Sequence, residues 1–170
     1  LIPHENFSDV PLRESLLRFA ESVLEHGFER APERAAVALL LAQLPEVGQP
    51  PGEHLRRDGE TSLEAGRRLA LALDHSVLPV QGPPGSGKTY TGAHMVLDLL
   101  AAGKRVGVAA TGHKVIGHFL DEVCRQARAL GREVRGTQLL PSHYTGSSDP
   151  WIELSEKSAD VARAIAEGAV

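Results

Sequence analysis

The residues best suited to chemistry in this chain form one run, Gln81-Gly82-Pro83-Pro84-Gly85-Ser86-Gly87-Lys88-Thr89, which fills every fixed position of the pattern G-x-x-x-x-G-K-[ST]. Glycines permit left-handed backbone and close approach, so the successive N–H groups of such a loop can wrap a diphosphate at the positive end of the helix that follows. Lys88 is then placed to reach the β and γ phosphates as the candidate catalytic cation, and the Thr89 hydroxyl to hold Mg²⁺. A plain turn between a strand and a helix would account for the glycines. It would not account for Lys88 and Thr89 directly after them.

A triphosphatase also needs an acidic group that orders the metal and the attacking water, typically at the end of an apolar strand. The only Asp-Glu pair is Asp121-Glu122, set among Val115, Ile116, Phe119, Leu120 and Val123 at helical spacing, which predicts the solvated edge of a helix. Arg125, Arg128, Arg132 and Arg135 offer at most a partial imitation of a kinase's arginine lid. His113 and His118 do not share a helix face as an i, i+4 metal-binding pair does, so surface or capping roles are expected. His143 and Tyr144 lie in a polar loop, Trp151 reads as a packing anchor, and Cys124 as core.

The elements that must position the loop follow from periodicity and from stop signals. Ser76 to Val80 reads as a short buried strand leading into the loop, and Lys88 to Ala102 as a helix ended by Gly103. Arg105 to Ala110 reads as a second strand, with Thr111 as N-cap of a helix running through Leu130. This alternation predicts an α/β fold, a parallel sheet flanked by helices with ligand at the carboxyl ends of the strands. Upstream, helices are expected from Pro11 to His26 and from Pro32 to Leu44, and a capping box at Thr61 and Glu64 opens another from Ser62 to about Asp74. Downstream, a third strand is expected at Glu133 to Thr137, a loop at Pro141 to Pro150, and a last helix from Glu153 or Ser155 to Glu167. The expected division is a helical lead-in over residues 1–59 and a phosphate-loop domain over 60–170.

Composition bounds the function classes. With 42% hydrophobic and 24% charged residues in 170, the chain can bury a core, and no apolar run approaches the roughly 18 residues of a membrane span. No signal-peptide pattern opens it and Cys124 is its only cysteine, which excludes a disulfide framework within the chain and predicts a cytoplasmic setting. Charge is uneven: residues 1–75 carry 8 Lys/Arg against 13 Asp/Glu (−5), residues 76–140 carry 8 against 4 (+4), and residues 141–170 carry 2 against 5 (−3). The positive segment surrounds the loop and suits an anionic ligand. A start at Leu1, with Met95 the only methionine, predicts a piece of a longer polypeptide.

The stretch Gln81 to Thr91, followed by Gly103-Lys104-Arg105-Val106-Gly107-Val108 and Ala110-Thr111-Gly112-His113-Lys114-Val115-Ile116, resembles motifs I and Ia of superfamily 1 helicases. The resemblance is greatest to the 5′-to-3′ branch and to bacterial proteins that fuse a RecB-like nuclease to a helicase, and it covers about residues 60–130. It implies a partial RecA-like P-loop sheet that stops before the Walker B strand, with ATP and Mg²⁺ held by Gly82, Pro83, Pro84, Gly85, Ser86, Gly87, Lys88, Thr89 and Tyr90. It also implies contact of Thr111, Gly112, His113 and Lys114 with single-stranded nucleic acid. A hydroxyl, free amides and a lysine at a helix start can hold a phosphate backbone without reading bases. The implied whole is a nucleic-acid-dependent ATPase, of which this chain is the ATP-binding portion without hydrolytic activity of its own. The remaining motor and a nuclease domain are expected in the same polypeptide. From the loop alone, a ring-forming ATPase, a small-molecule phosphotransferase and a non-catalytic nucleotide-binding module remain alternatives.

Overall fold

In the computed structural model, which describes residues 10–50 and 53–167, the chain divides into one unit of residues 1–51 and 73–78 and another of 52–72 and 79–170. The first unit holds α1 (Val10–His26) and α2 (Arg34–Leu40). Gly27, at φ 73°, ends α1 as its position predicts. α2 stops short of the expected Leu44 because Ala42 turns left-handed at φ 49°, and the Gln43 N–H then bonds the Ala38 carbonyl at 2.9 Å. That is a Schellman closure, which satisfies the last carbonyls of the helix. Val37 and Ala38 are buried, whereas α1 has no buried residue and leaves Leu12, Leu16, Leu17 and Leu24 exposed.

The second unit holds α3 (Ser62–Ala72), α4 (Lys88–Ala101), α5 (His113–Ala129), β1 (Gly136–Leu139), β2 (Ile152–Ser155) and α6 (Ser158–Glu167). The capping box forms: the Glu64 carboxylate accepts from the Thr61 N–H at 2.8 Å, and the Thr61 hydroxyl accepts from the Glu64 N–H at 3.2 Å. α4 ends at Gly103, φ 72°, again with a Schellman bond, from the Lys104 N–H to the Leu99 carbonyl at 2.9 Å.

The core of this unit is where α4 packs on α5. Ala93, Val96 and Leu97 meet Val123, Cys124 and Ala127, with Val134 and Ile152 closing the end and Phe119, Leu120 and Trp151 against the side. Small residues set the spacing, since a Cβ on Gly92 would lie 3.1 Å from the Phe119 ring. α3 is tied to α4 by a two-pronged ion pair, Arg67 to Asp98 at 2.6 and 2.9 Å. Cys124 is fully buried, as expected of a core thiol, and burial with Asp149 nearby pushes its pKa up to about 12.

The sheet is small and parallel, two strands in register from Gly136 opposite Ile152 to Leu139 opposite Ser155. A parallel pair needs a crossover of about a dozen residues, and residues 140–151 supply it as a loop. The expected third strand therefore exists but lies a little later, at Gly136–Leu139. The first residues assigned to the last helix are strand β2, because Ile152 and its neighbours pair with β1. Two expected strands do not form. Ser76 to Val80 runs without a ladder: the Ser76 hydroxyl accepts from the Glu46 N–H at 2.7 Å, His75 turns to φ 42°, and Pro79 has no N–H to donate. Arg105 to Ala110 is likewise unpaired among the described residues, with the Arg105 side chain bonded to the Ile165 carbonyl at 2.9 Å. The secondary structure is thus mixed α/β, with six helices and one two-stranded parallel sheet among the described residues.

Candidate nucleotide site and the start of the fifth helix

Gly85 and Gly87 are both left-handed, at φ 78° and 83°, and Gly87 is the N-cap from which α4 springs at Lys88. A side chain at either position would be strained, which is the reason for glycine there. At Gly82 a Cβ would sit 2.5 Å from the Ser86 hydroxyl oxygen, which would have to turn away to admit it. The Lys88 ammonium folds back over the loop and donates to the Gly82 carbonyl at 2.6 Å and the Pro83 carbonyl at 2.8 Å. The sequence motif therefore has its physical counterpart: a tight loop on a helix N-terminus with its cation drawn across it.

Beside the loop lies a cavity of about 470 Å³, bounded by Pro84, Gly85 and Gly87, by Lys88, Thr89 and Tyr90 of the first turn of α4, and by Glu122 of α5. Tyr90 is partly exposed and meets His94 edge to face at 4.6 Å. His94 is buried, with neither ring nitrogen hydrogen-bonded. These residues fit a magnesium-bound nucleotide: backbone amides and Lys88 for the phosphates, the Thr89 hydroxyl for the metal. Among the described residues no group of three or more His, Cys, Asp or Glu could hold a metal ion, so a cation here would depend on Thr89, phosphate and water, which is how Mg²⁺ is usually bound.

Asp121 and Glu122 are not the solvated edge expected of them, since both are half-buried and hydrogen-bonded. The Glu122 carboxylate accepts from Arg125 at 2.6 and 2.9 Å and from the Gln126 amide at 2.8 Å. Burial pushes its carboxyl up, but these bonds outweigh that and hold it below the usual range. Asp121 faces a different task. It accepts from the Ser147 hydroxyl, from the Ser148 N–H and hydroxyl at 2.9 and 3.1 Å, and from the Asp149 N–H at 3.3 Å. Here too burial pushes the carboxyl up, and the serine and backbone donors bring it below its ordinary value.

The residues assigned to nucleic acid stand at the start of α5. The N-cap is Gly112, in extended conformation, and not Thr111, which is exposed and makes no capping bond. Glycine leaves the first amides without a capping side chain. Lys114 is exposed. The His113 ring contacts the Leu139 carbonyl at 3.1 Å, and its own carbonyl accepts from the buried Gln138 amide at 3.0 Å, so β1 fixes this helix start. None of Thr111 to Lys114 lines the cavity beside the loop, so the two candidate sites are separate.

The loop of residues 141–150 is strapped to α5 by contacts that sequence separation hides. Gly117 lies under it: a Cβ there would come 2.5 Å from the Gly146 carbonyl carbon and 2.6 Å from the Ser147 nitrogen, both backbone. Gly117→Ala should therefore lift the strap and cost about 1–3 kcal/mol of stability, as overpacking does. Thermal denaturation checks this, and an unchanged melting temperature would show that the loop does not hold to α5.

Six carboxyls of this unit are held below their ordinary range among the described residues: Asp98 chiefly by Arg67, Asp149 chiefly by Arg128, Glu64 chiefly by the Thr61 hydroxyl, Asp121 and Glu122 against burial by the bonds above, and Glu60. Glu60 is lowered to about 2 by its bonds to Arg68 and the Arg57 N–H. Carboxyls depressed in the folded state contribute stability that is complete above the unfolded carboxylate range of about 4 and is lost as pH falls through the folded values. The melting temperature should hold level from pH 7 to about 5 and fall steeply below about 4. Asp121→Asn should flatten that fall, and equal slopes would remove Asp121 from the account.

Comparison with protein-family models, with curated proteins and with solved structures finds no match to this chain. What fold and site define is a mixed α/β protein bearing a glycine loop, lysine and threonine at a helix start. No helix of the described residues is long and apolar enough to cross a membrane.

Proposed function

We propose that this chain is the ATP-binding portion of a nucleic-acid-dependent ATPase or helicase motor, in which Gly82 to Thr89 hold the phosphates of Mg-ATP and Thr111 to Lys114 lie against a nucleic-acid strand. The observation that carries the reading is the loop itself, with left-handed Gly85 and Gly87 leading directly into α4 and Lys88 bonded across it at 2.6 and 2.8 Å. On binding, the Lys88 ammonium exchanges two backbone carbonyls for phosphate oxygens, and the amides at the start of α4 meet negative charge at the positive end of the helix. The hydroxyl of Thr89, the next residue, would hold the Mg²⁺, which would supply positive charge to the phosphates. Tyr90 at the cavity wall offers a ring to the rest of the nucleotide.

The second half of the reading rests on the resemblance to motif Ia and on the exposed Lys114 beside the uncapped amides of α5. The test of the first half is a thermal titration with Mg-ATP. Stabilisation that grows with nucleotide and needs the metal supports it, and no shift at millimolar nucleotide overturns it.

A further inference from the structure

The loop between β1 and β2 is polar, yet the fold uses buried groups to fix it. Gln138 is 3% exposed and accepts from the Ser147 N–H at 2.8 Å while its amide donates to the His113 carbonyl at 3.0 Å. Asp121 gathers Ser147, Ser148 and Asp149, and Arg128 pairs with Asp149 while lying 4.1 Å over the Trp151 ring. One product of this bracing is a set of three rings. Tyr144 sits 4.8 Å from the ring of His113 and 4.3 Å from that of His143, tilted by 42° and 40°. Tyr144 and His143 remain exposed, and His113 is itself in the first turn of α5, next to Lys114.

We propose that Tyr144, with His143 and His113, is a base-stacking platform for single-stranded nucleic acid, set beside the phosphate-binding helix start at Gly112. The proposal rests on the nucleic-acid half of the function above and adds the contact to the bases. The chemistry is that of sequence-tolerant strand binding, in which a cation and amides follow the backbone while flat rings take the base faces. Rings serve this only if they are held still, and Gln138, Asp121 and Gly117 hold the loop that carries two of them. Of the carboxylates nearest the platform in sequence, Asp149 is paired with the Arg128 guanidinium, and Asp121, which keeps its charge, is bound by serine and backbone donors of the loop.

Fluorescence anisotropy with a labelled oligothymidine and an abasic strand of equal length tests the platform. The chain should prefer the strand with bases by roughly 5- to 150-fold for each base stacked. Tyr144→Ala should remove that preference and leave abasic binding unchanged, Tyr144→Phe should keep it, and His143→Ala should reduce it. Lys114→Ala should weaken both strands alike and lower the salt slope by about 0.7. Equal affinity of the parent chain for the two strands, or a preference that survives Tyr144→Ala in a chain with unaltered circular dichroism, overturns the platform while backbone binding stands. Absence of salt-sensitive binding to either strand overturns the nucleic-acid reading itself, and the platform with it.

Discussion

A Lys88→Ala chain should lose nearly all stabilisation by Mg-ATP while melting close to the parent in its absence. The Lys88 ammonium bonds two carbonyls of its own loop, at 2.6 and 2.8 Å, and the side chain is exposed, so its removal takes little from the unliganded fold. In the complex the same ammonium makes charge-assisted bonds to phosphate, worth about 1.5–3 kcal/mol, or roughly a 10- to 150-fold loss of affinity on truncation. At a nucleotide concentration of about 100 times the dissociation constant, ligand linkage contributes about 2.7 kcal/mol, and a 100-fold weaker site leaves only about 0.4 kcal/mol. For a chain of this length that is a shift falling from about 5–10 °C to about 1 °C. Thr89→Ala should act differently, reducing the magnesium dependence more than the nucleotide affinity. Equal stabilisation of parent and Lys88→Ala chains would remove the loop from the binding site.

What could be read in the sequence is what local chemistry decides. The Thr61 and Glu64 box, the stop at Gly27, the end of α4 at Gly103 and the run from Gly82 to Thr89 each depend on residues within a few positions of one another, and each takes the form its residue types require. Strands are a different matter, because a β run is stable only with a partner. Ser76 to Val80 and Arg105 to Ala110 have suitable apolar patterns but no ladder among the described residues, whereas Gly136–Leu139 pairs with Ile152–Ser155 across the loop expected at Pro141 to Pro150, a partner choice that no local signal predicts. The short Ile152-Glu153-Leu154-Ser155 is too brief for periodicity to separate strand from helix. The candidate sites divide in the same way. Glycine loop, lysine and threonine announce themselves, while Glu122 at the cavity and Tyr144 beside His113 depend on contacts between distant positions. The only local hint was Gly146-Ser147-Ser148-Asp149, a run of small and hydroxylated residues of the kind that accepts a carboxylate, and it gave no sign that Asp121 would be its partner.

The isolated chain should bind Mg-ATP yet show no turnover that single-stranded DNA stimulates. Hydrolysis needs, besides the phosphate loop, an acid to order metal and water and a cation to meet the charge that develops on the γ phosphate. Among the described residues Glu122 is the one carboxylate on the wall of the cavity, and both its oxygens are engaged, by Arg125 at 2.6 and 2.9 Å and by Gln126 at 2.8 Å. That pairing also occupies Arg125, so freeing the acid would release an unpaired carboxylate into a half-buried position, and freeing the arginine would do the same. Asp121, its neighbour, is spent on the strap at Ser147 to Asp149. A missing catalytic cation alone costs on the order of 10³ to 10⁵ in rate, and a missing acid lowers it further. Steady-state phosphate release should therefore stay at background with or without an oligonucleotide, and Glu122→Gln, which keeps the shape and the bond acceptor, should change nothing. Robust turnover that disappears in both Lys88→Ala and Glu122→Gln would mean that Glu122 leaves Arg125 to act on the metal or the water, and that this chain is a complete ATPase.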